Sequence, residues 1–151
     1  MRSIKFIVSS LVLAAAVAAH AAGPDDIVNA RKQNFKQIGG AMKGAGDTLK
    51  TPTPDLALIK KSGDTFAALA PKVVTWFPAG SGPDKVTVKT GAKPEIWTDA
   101  AGFKAAAAAF AKAAGEFKVA ADSGNLDAIR AKQGALGGTC KGCHDKFRNK
   151  D

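Results

Sequence analysis

The sequence has few of the side chains that bind metal ions through several protein ligands. Its 151 residues include two cysteines, two histidines and two methionines, and no tyrosine. A structural zinc site needs about four cysteine or histidine ligands. Because His20 falls in a segment that we predict is removed, only Cys140, Cys143 and His144 are left for such a site. These three ligands are too few, so the composition argues against structural zinc.

The alternation of polar and apolar residues that is typical of β-strands is nearly missing as well. Alanine and glycine are abundant instead, and apolar residues recur at steps of three and four, as in Phe103, Ala107, Phe110 and Ala114. That spacing places them on one face of an amphipathic helix. Four segments of the chain show it, so the sequence predicts an all-α fold, an antiparallel four-helix bundle.

Proline, glycine and aspartate mark where these helices begin and end. The predicted helices run from Pro24 to the glycines at 44–46, from the connector 51–55 to Pro71, over 98–121, and from Leu126 to Phe147. The stretch 74–95 is rich in proline and glycine, and loops of this length are usually functional or disordered. Gly137 and Gly138 interrupt the last helix, which indicates either a close approach to the backbone or a kink.

Residues 1–21 have the features of a secretory signal peptide. Two basic residues precede an apolar run over 6–19, and Ala19-His20-Ala21 then offers small residues at the two cleavage positions. We expect cleavage before Ala22 and a periplasmic domain of residues 22–151, with no membrane attachment after the signal is removed. The alternative is a retained membrane anchor, although the apolar run is short for a membrane span.

The chain is basic, with a formal net charge of +9. Loss of Arg2 and Lys5 with the signal would lower this charge to +7. A basic balance can indicate nucleic-acid binding, but the lysines are scattered and an exported protein rarely meets nucleic acid. We therefore predict no nucleic-acid partner, and a basic surface that steers an acidic redox partner protein.

The most informative motif is Cys140-Lys141-Gly142-Cys143-His144, the attachment signature of a c-type haem. Each thiol can form a thioether bond with one vinyl group of the porphyrin, and the histidine can then bind the iron. Cys140 and His144 lie one helical turn apart, on the same face. A thioredoxin-like redox pair, half of a zinc site and a disulfide are the alternatives. The first needs a helix start after a strand, the second more ligands, and the third leaves His144 unexplained.

Four stretches together resemble the cytochrome c′ family, the class II c-type cytochromes. They are Pro24-Asp25-Asp26 through Arg31, Trp76-Phe77-Pro78-Ala79-Gly80-Ser81, Pro94-Glu95-Ile96-Trp97 with Phe103, and Cys140 through Arg148. The resemblance implies a four-helix bundle with one haem c per chain, bound covalently through Cys140 and Cys143, and His144 as the proximal ligand of the iron. Relatives are often homodimers through the first two helices, so a homodimer is expected.

The resemblance also implies roles for three basic residues. Arg31 matches a first-helix arginine that pairs with a haem propionate, and an arginine on an apolar helix face needs an anion. Lys32 stands where relatives often carry glutamine, and a lysine there can still contact a propionate. Arg148 matches an arginine beside the proximal ligand; a solvated cation at a helix C-terminus is the alternative.

The residue that decides the iron chemistry is Phe35. Low-spin relatives place a methionine ligand four residues after the position of Arg31, and a phenyl ring cannot bind iron. Met42 lies two turns from Phe35, roughly 10 Å along the helix axis. The resemblance therefore implies five-coordinate, high-spin haem with an apolar distal site for nitric oxide or carbon monoxide, in a protein that can also transfer one electron.

Two other functions were weighed against gas binding. The first is a low-spin electron carrier of the c556 type, with a methionine as the sixth ligand. The second is a peroxidase-like enzyme, which needs distal acid–base residues. Because no distal histidine is available, we predict that the protein is not an enzyme.

Overall fold

The computed structural model describes residues 22–149, so the predicted signal peptide lies outside the described residues. Five α-helices and one 3₁₀ helix follow one another along the chain. They are α1 (Pro24–Thr48), α2 (Leu56–Leu69), the 3₁₀ helix (Ala70–Trp76), α3 (Glu95–Thr98), α4 (Ala100–Ser123) and α5 (Leu126–Phe147). Residues 22–149 contain no β-strand, and the predicted all-α fold is confirmed.

The four long helices, α1, α2, α4 and α5, form the antiparallel bundle. α4 packs along both α2 and α5, and α1 packs along α2. α1 and α5 touch each other least among these pairs, and the space between them is the site described below. Within residues 22–149, no helix has the length and apolar character needed to cross a membrane.

The core of the bundle follows α4. Its predicted apolar face is buried throughout: Phe103, Ala107, Phe110, Ala114, Phe117 and Ala121. Phe117 meets Phe66 of α2 edge to face, with ring centroids 5.3 Å apart, and neither side chain is exposed. Large and small residues alternate along this face, so that α4 approaches its neighbours closely while its rings interdigitate with theirs.

Side-chain caps explain where three of the helices begin. Asp55, Asp99 and Asn125 each accept a hydrogen bond at 3.0 Å from the backbone N–H three residues further on. Such caps satisfy amide groups that a first helical turn leaves without partners. α4 ends at Gly124, whose φ of 71° is a left-handed conformation that favours glycine.

One predicted boundary was wrong. α1 does not end at the glycines 44–46 but continues to Thr48. Ala45 is fully buried, and a β-carbon at Gly46 would lie 3.4 Å from Gln133 Nε2. These glycines therefore allow close packing inside a helix. The third predicted helix, over 98–121, corresponds to α4, which begins at Ala100 after the Asp99 cap and runs to Ser123. The short helix α3 precedes it, at the end of the predicted loop.

The loop between the 3₁₀ helix and α3 is bound to the bundle near its middle and near its start. Asp25 of α1 accepts hydrogen bonds from the backbone N–H groups of Thr87 at 2.8 Å and Val88 at 3.4 Å, and from the Thr87 hydroxyl. These bonds hold the pKa of the Asp25 carboxyl below its ordinary value. Trp97 Nε1 donates to the Pro78 carbonyl at 3.1 Å. The long loop is thus part of the folded body.

The end of the same loop pairs with the end of α5. Lys93 N–H donates to the Phe147 carbonyl at 3.0 Å, and Asn149 N–H donates to the Gly91 carbonyl at 2.8 Å. Between these bonds, Ala92 and Arg148 form an isolated antiparallel bridge. The pairing fixes the last turn of α5, which carries part of the haem-attachment motif.

We predict that Phe117→Ala lowers the free energy of unfolding by about 3–5 kcal/mol, because it leaves a cavity at the centre of the core. Val119→Ala is the control on the same helix, since Val119 is 71% exposed and exposed substitutions change stability by about 0.5 kcal/mol or less. Guanidinium denaturation followed by circular dichroism measures both. Equal losses in the two variants would contradict the assignment of the core.

Candidate haem site

A cavity of about 780 Å³ opens between α1 and α5. Sites for small ligands and cofactors typically measure about 300–1,000 Å³. The residues that line the cavity include every site residue expected from the sequence: Arg31, Lys32, Phe35, Cys140, Cys143, His144 and Arg148. The fold thus brings residues from its first and its last helix to one site.

The wall formed by α5 carries both cysteines. Cys140 and Cys143 are free thiols, and each is half-buried. Burial raises the pKa of both thiols, and their mutual repulsion as thiolates adds to the effect at Cys143. Both groups therefore stay protonated at neutral pH and contribute sulfur atoms to a largely apolar wall.

His144 follows the cysteines at the mouth of the cavity and remains accessible to solvent. Partial desolvation, and then the nearby charge of Arg148, lower the pKa of the imidazole, while Asp145 opposes the shift. The lowered pKa favours the neutral ring, which is the form that binds metal ions. His144 is thus available as a ligand on the same wall as the two thiols.

The opposite wall, formed by α1, presents Phe35. Its half-buried ring packs edge to face on Trp76, with centroids 5.1 Å apart, and lies 6.1 Å from the ring of Phe77. Further apolar side chains complete this part of the cavity: Ile38, Met42, Val73, Ile96, Phe103 and Phe110. A planar apolar group fits between such walls.

Arg31 is the buried cation of the site, with 3% of its surface exposed. It donates through Nη1 to the carbonyl of Ser81 at 3.0 Å and to its hydroxyl at 3.1 Å, and through Nη2 to the hydroxyl of Thr90 at 2.8 Å. Its Cζ also lies 4.6 Å from the centroid of Phe77, a cation–π distance. Among residues 22–149 these hydrogen-bond acceptors are uncharged, so the predicted pairing with a propionate remains a prediction.

Basic residues surround the cavity mouth. Six of the lining residues are lysine or arginine and one is acidic: Arg31, Lys32, Lys36, Lys43, Lys50 and Arg148 against Asp47. Asp47 is itself paired with Lys43 and with Lys50. Lys32 Nζ reaches the carbonyl of Lys89 at 3.5 Å, at the rim. The mouth therefore favours a ligand that carries negative charge at one edge.

The alternatives for the cysteine motif do not match this geometry. The two cysteines lie in the last two turns of α5, whereas a thioredoxin-like pair starts a helix after a strand. Within the described part of the chain, no group of three or more His, Cys, Asp or Glu could hold a metal ion, which disfavours zinc. The thiols are not joined in a disulfide. Haem attachment is the interpretation that also gives His144 a role, as the ligand of the iron.

Comparison with known proteins decides the family. The family model described as Cytochrome C′ matches residues 26–148, most of the chain. The chain belongs to the cytochrome c′ family. The cytochrome c′ of Rhodospirillum rubrum is 36% identical over 151 aligned residues, which span 98% of this chain and 99% of that protein.

Solved structures of cytochromes c′ have the same fold. The crystal structure from Rubrivivax gelatinosus superposes with a TM-score of 0.76 at 34% identity, over 84% of this chain and 98% of that one. A nitric oxide complex of a mutant cytochrome c′ from Alcaligenes xylosoxidans gives a TM-score of 0.76 at 33% identity, over 85% of this chain and 98% of that one. The predicted four-helix bundle is thereby confirmed.

The cytochrome c′ family binds haem c, and the residues of this site fit that group. Two thiols and an imidazole lie on one wall, a phenyl ring faces them, and cations surround the mouth. The apolar walls suit the porphyrin, and the basic rim suits its propionates. The donor set and the shape of the cavity thus agree with the family.

Sequence reasoning missed several residues that build the site. Ser81 and Thr90 fix Arg31, and Asp25, which the sequence marked only as part of a helix start and of the family resemblance, holds the loop through Thr87. No periodic pattern marks such loop contacts. Two signals pointed to the loop: its length, which is unusual unless the loop has a function, and the stretch from Trp76 to Ser81, which resembles the family.

We predict that Arg31→Met frees the loop that borders the cavity. The variant keeps an unbranched apolar side chain but removes three hydrogen bonds to Ser81 and Thr90, and each bond to a charged group contributes about 1.5–3 kcal/mol. Tryptic cleavage after Lys85 and Lys89 should accelerate about tenfold or more. Arg130→Met is the control, because Arg130 is exposed on α5 and, among residues 22–149, forms an ion pair with Asp127 alone. Unchanged cleavage in Arg31→Met would show that other contacts hold the loop.

Proposed function

We propose that the mature chain is a periplasmic gas-binding cytochrome c′ with one covalently bound, five-coordinate haem c. The observation that carries the proposal is the position of Phe35, which lines the cavity where low-spin relatives place a methionine ligand. A similar protein from Alcaligenes xylosoxidans has been solved as a nitric oxide complex, which supports nitric oxide as a ligand here.

The proposed roles of the α5 residues follow from their side chains. Cys140 and Cys143 would form the two thioether bonds, and His144 would bind the iron as its protein ligand on the proximal side. Haem c supplies an iron that takes up a diatomic gas and exchanges one electron. Arg148, which lies beside His144 and lowers the pKa of its imidazole, would keep that ligand neutral and uncharged toward the metal.

Phe35 would cover the distal side. Its ring is held by Trp76 and Phe77, so it can move only by breaking aromatic contacts. The apolar side chains beside Phe35, among them Ile38 and Val73, would offer a bound gas no hydrogen bond, which favours nitric oxide and carbon monoxide over dioxygen. Arg31, buried in the cavity wall, and Lys32 at the rim would meet the propionates.

A low-spin electron carrier is the second candidate, because Met42 also lines the cavity. A thioether is the usual sixth ligand of low-spin c-type haem. Met42 lies two turns from Phe35, about 10 Å along α1, and its sulfur is engaged by Gln133 at 3.4 Å. These contacts favour the gas-binding function, and the optical spectrum distinguishes the two.

The proposed partners follow from two surfaces. The basic rim of the cavity suits an acidic redox protein. A shallow groove between α1 and α2, bordered by Gly40, Ala41 and Leu58, lies on the two helices through which relatives often form homodimers. We propose the same homodimer for this chain.

We predict that the purified protein keeps one haem's mass above the mature polypeptide after acid–acetone extraction, because two thioether bonds resist this treatment. The ferric and ferrous optical spectra at neutral pH should be high-spin. Mass spectrometry and absorption spectroscopy measure the two properties. Recovery of bare polypeptide would contradict covalent attachment, and a methionine–sulfur charge-transfer band would establish the low-spin alternative.

We predict that Phe35→Val speeds carbon monoxide binding to the ferrous protein by about tenfold, equivalent to about 1.4 kcal/mol less packing to displace. Flash photolysis measures the association rate. Phe66→Val is the matched control, because Phe66 is fully buried against Phe117 and not among the cavity-lining residues. The control should lose stability and keep the rate of the parent. If both variants bind carbon monoxide at the parent rate, Phe35 does not cover the iron.

A further inference from the structure

Gln133 of α5 makes a direct polar contact with α1 beside the cavity. Its Nε2 donates to the backbone carbonyl of Met42 at 3.1 Å and to the Met42 sulfur at 3.4 Å. The cavity separates α1 from α5 along most of their length, and these helices otherwise touch little. Because Gln133 contacts both the backbone and the side chain of Met42, it is one of the few groups that can set the position of α1 relative to α5.

Gly137 lies one turn after Gln133 and faces the terminal methyl group of the Met42 side chain. A β-carbon at Gly137 would lie 3.2 Å from the methyl carbon of Met42, which is closer than ordinary van der Waals contact. At Gly138 a β-carbon would meet nothing within 4 Å. Of the two glycines that interrupt the helix pattern, Gly137 is therefore the one at a close approach, and a side chain there would make the terminal methyl group of Met42 shift by a few tenths of an ångström.

A role in packing alone does not explain a glutamine at position 133. Its Oε1 is buried and has no hydrogen-bond partner among the described residues. An unpaired buried acceptor costs stability, and an apolar side chain of similar size avoids that cost. The donor side of the amide, which holds Met42, is thus the part of Gln133 that accounts for a polar residue in this wall.

The position of this contact along the helices relates it to the haem site. α1 and α5 run antiparallel, so seven residues back from Met42 and seven residues on from Gln133 lead in the same direction. These steps arrive at Phe35 and Cys140, each about 10 Å away. The contact therefore lies two turns below the level at which the distal ring and the attachment segment face each other.

We infer that Gln133 and Gly137 form a socket for Met42 that positions Phe35 relative to the attachment segment. The inference rests on the proposed function, since it makes Gln133 a positioning residue for gas entry. The Gln133 amide fixes the position of α1 along the axis of α5, and Gly137 allows the short distance between the two helices. The same contacts keep the Met42 thioether directed at α5.

Two substitutions disrupt the contacts of Met42 with α5, each in a different way, and a substitution at the neighbouring Gly138 serves as the control. Gln133→Leu removes both hydrogen bonds and keeps an apolar side chain of similar size. Gly137→Ala displaces the Met42 methyl group. Gly138→Ala introduces the same methyl group one residue further on, where it meets nothing. All three are made in the haem-loaded protein, and both alanine variants also favour the helix.

Two readouts follow in each variant, namely hydrogen exchange of the α1 amides around Met42 and the association rate of carbon monoxide with the ferrous protein. We expect both to rise about fivefold in Gln133→Leu and Gly137→Ala, the scale of one net hydrogen bond, and to stay at the parent values in Gly138→Ala. Faster exchange without faster gas binding would overturn the link to Phe35. Parent values in both readouts would overturn the socket itself.

The outcome for the parent protein separates this inference from the proposed function. A parent that binds no carbon monoxide contradicts gas binding, and the socket is then decided by hydrogen exchange alone. A parent that binds carbon monoxide, with all variants matching its rate, contradicts only the socket's role in positioning Phe35.

Discussion

The separation of α1 from α5 is the constraint on which the rest of this structure depends. Neighbouring helices of a bundle normally bury a continuous apolar seam, yet these two leave a cavity of about 780 Å³ between them. The helix contacts beside this cavity come mainly from α4, which packs along both α2 and α5. The phenylalanines of α4 are buried on the inner side of the bundle, so the core stays intact beside an open site.

Arg31 shows how the cavity and the loop depend on each other. Burial lowers the pKa of its guanidinium, because a cation in an apolar wall loses its hydration. Three hydrogen bonds to uncharged oxygens of Ser81 and Thr90, with the face of Phe77, offset part of that loss. An anionic edge of a cofactor would complete the compensation. The loop is thus held by the charge of Arg31, and the hydrogen bonds that hold it offset only part of the free-energy cost of burying that charge.

The regular parts of the fold could be read from the sequence, whereas contacts between distant elements could not. The three- and four-residue spacing along α4 identified its buried face correctly, since periodicity reports directly on burial. The spacing of Cys140, Cys143 and His144 identified the attachment wall for the same local reason. The glycines of α1 were misinterpreted as a helix end, because their neighbours lie far away in the chain: Gly44 faces Leu58 and Gly46 faces Gln133. Arg31 and Phe35 were located through family resemblance, and their partners needed the structure.

The pairing of residues 91–93 with 147–149 has a consequence for the order in which the molecule assembles. Contacts between residues so far apart in the chain carry a high closure entropy and form late in folding, after local helices and their hairpins. The bonds of Asp25 and Arg31 to the loop are long-range in the same sense. In native proteins, loops open locally at a lower free-energy cost than the helices of the core. Loss of these loop contacts alone would uncover the border of the cavity while the four helices persist, and a large flat molecule would then have a route between them without unfolding of the bundle.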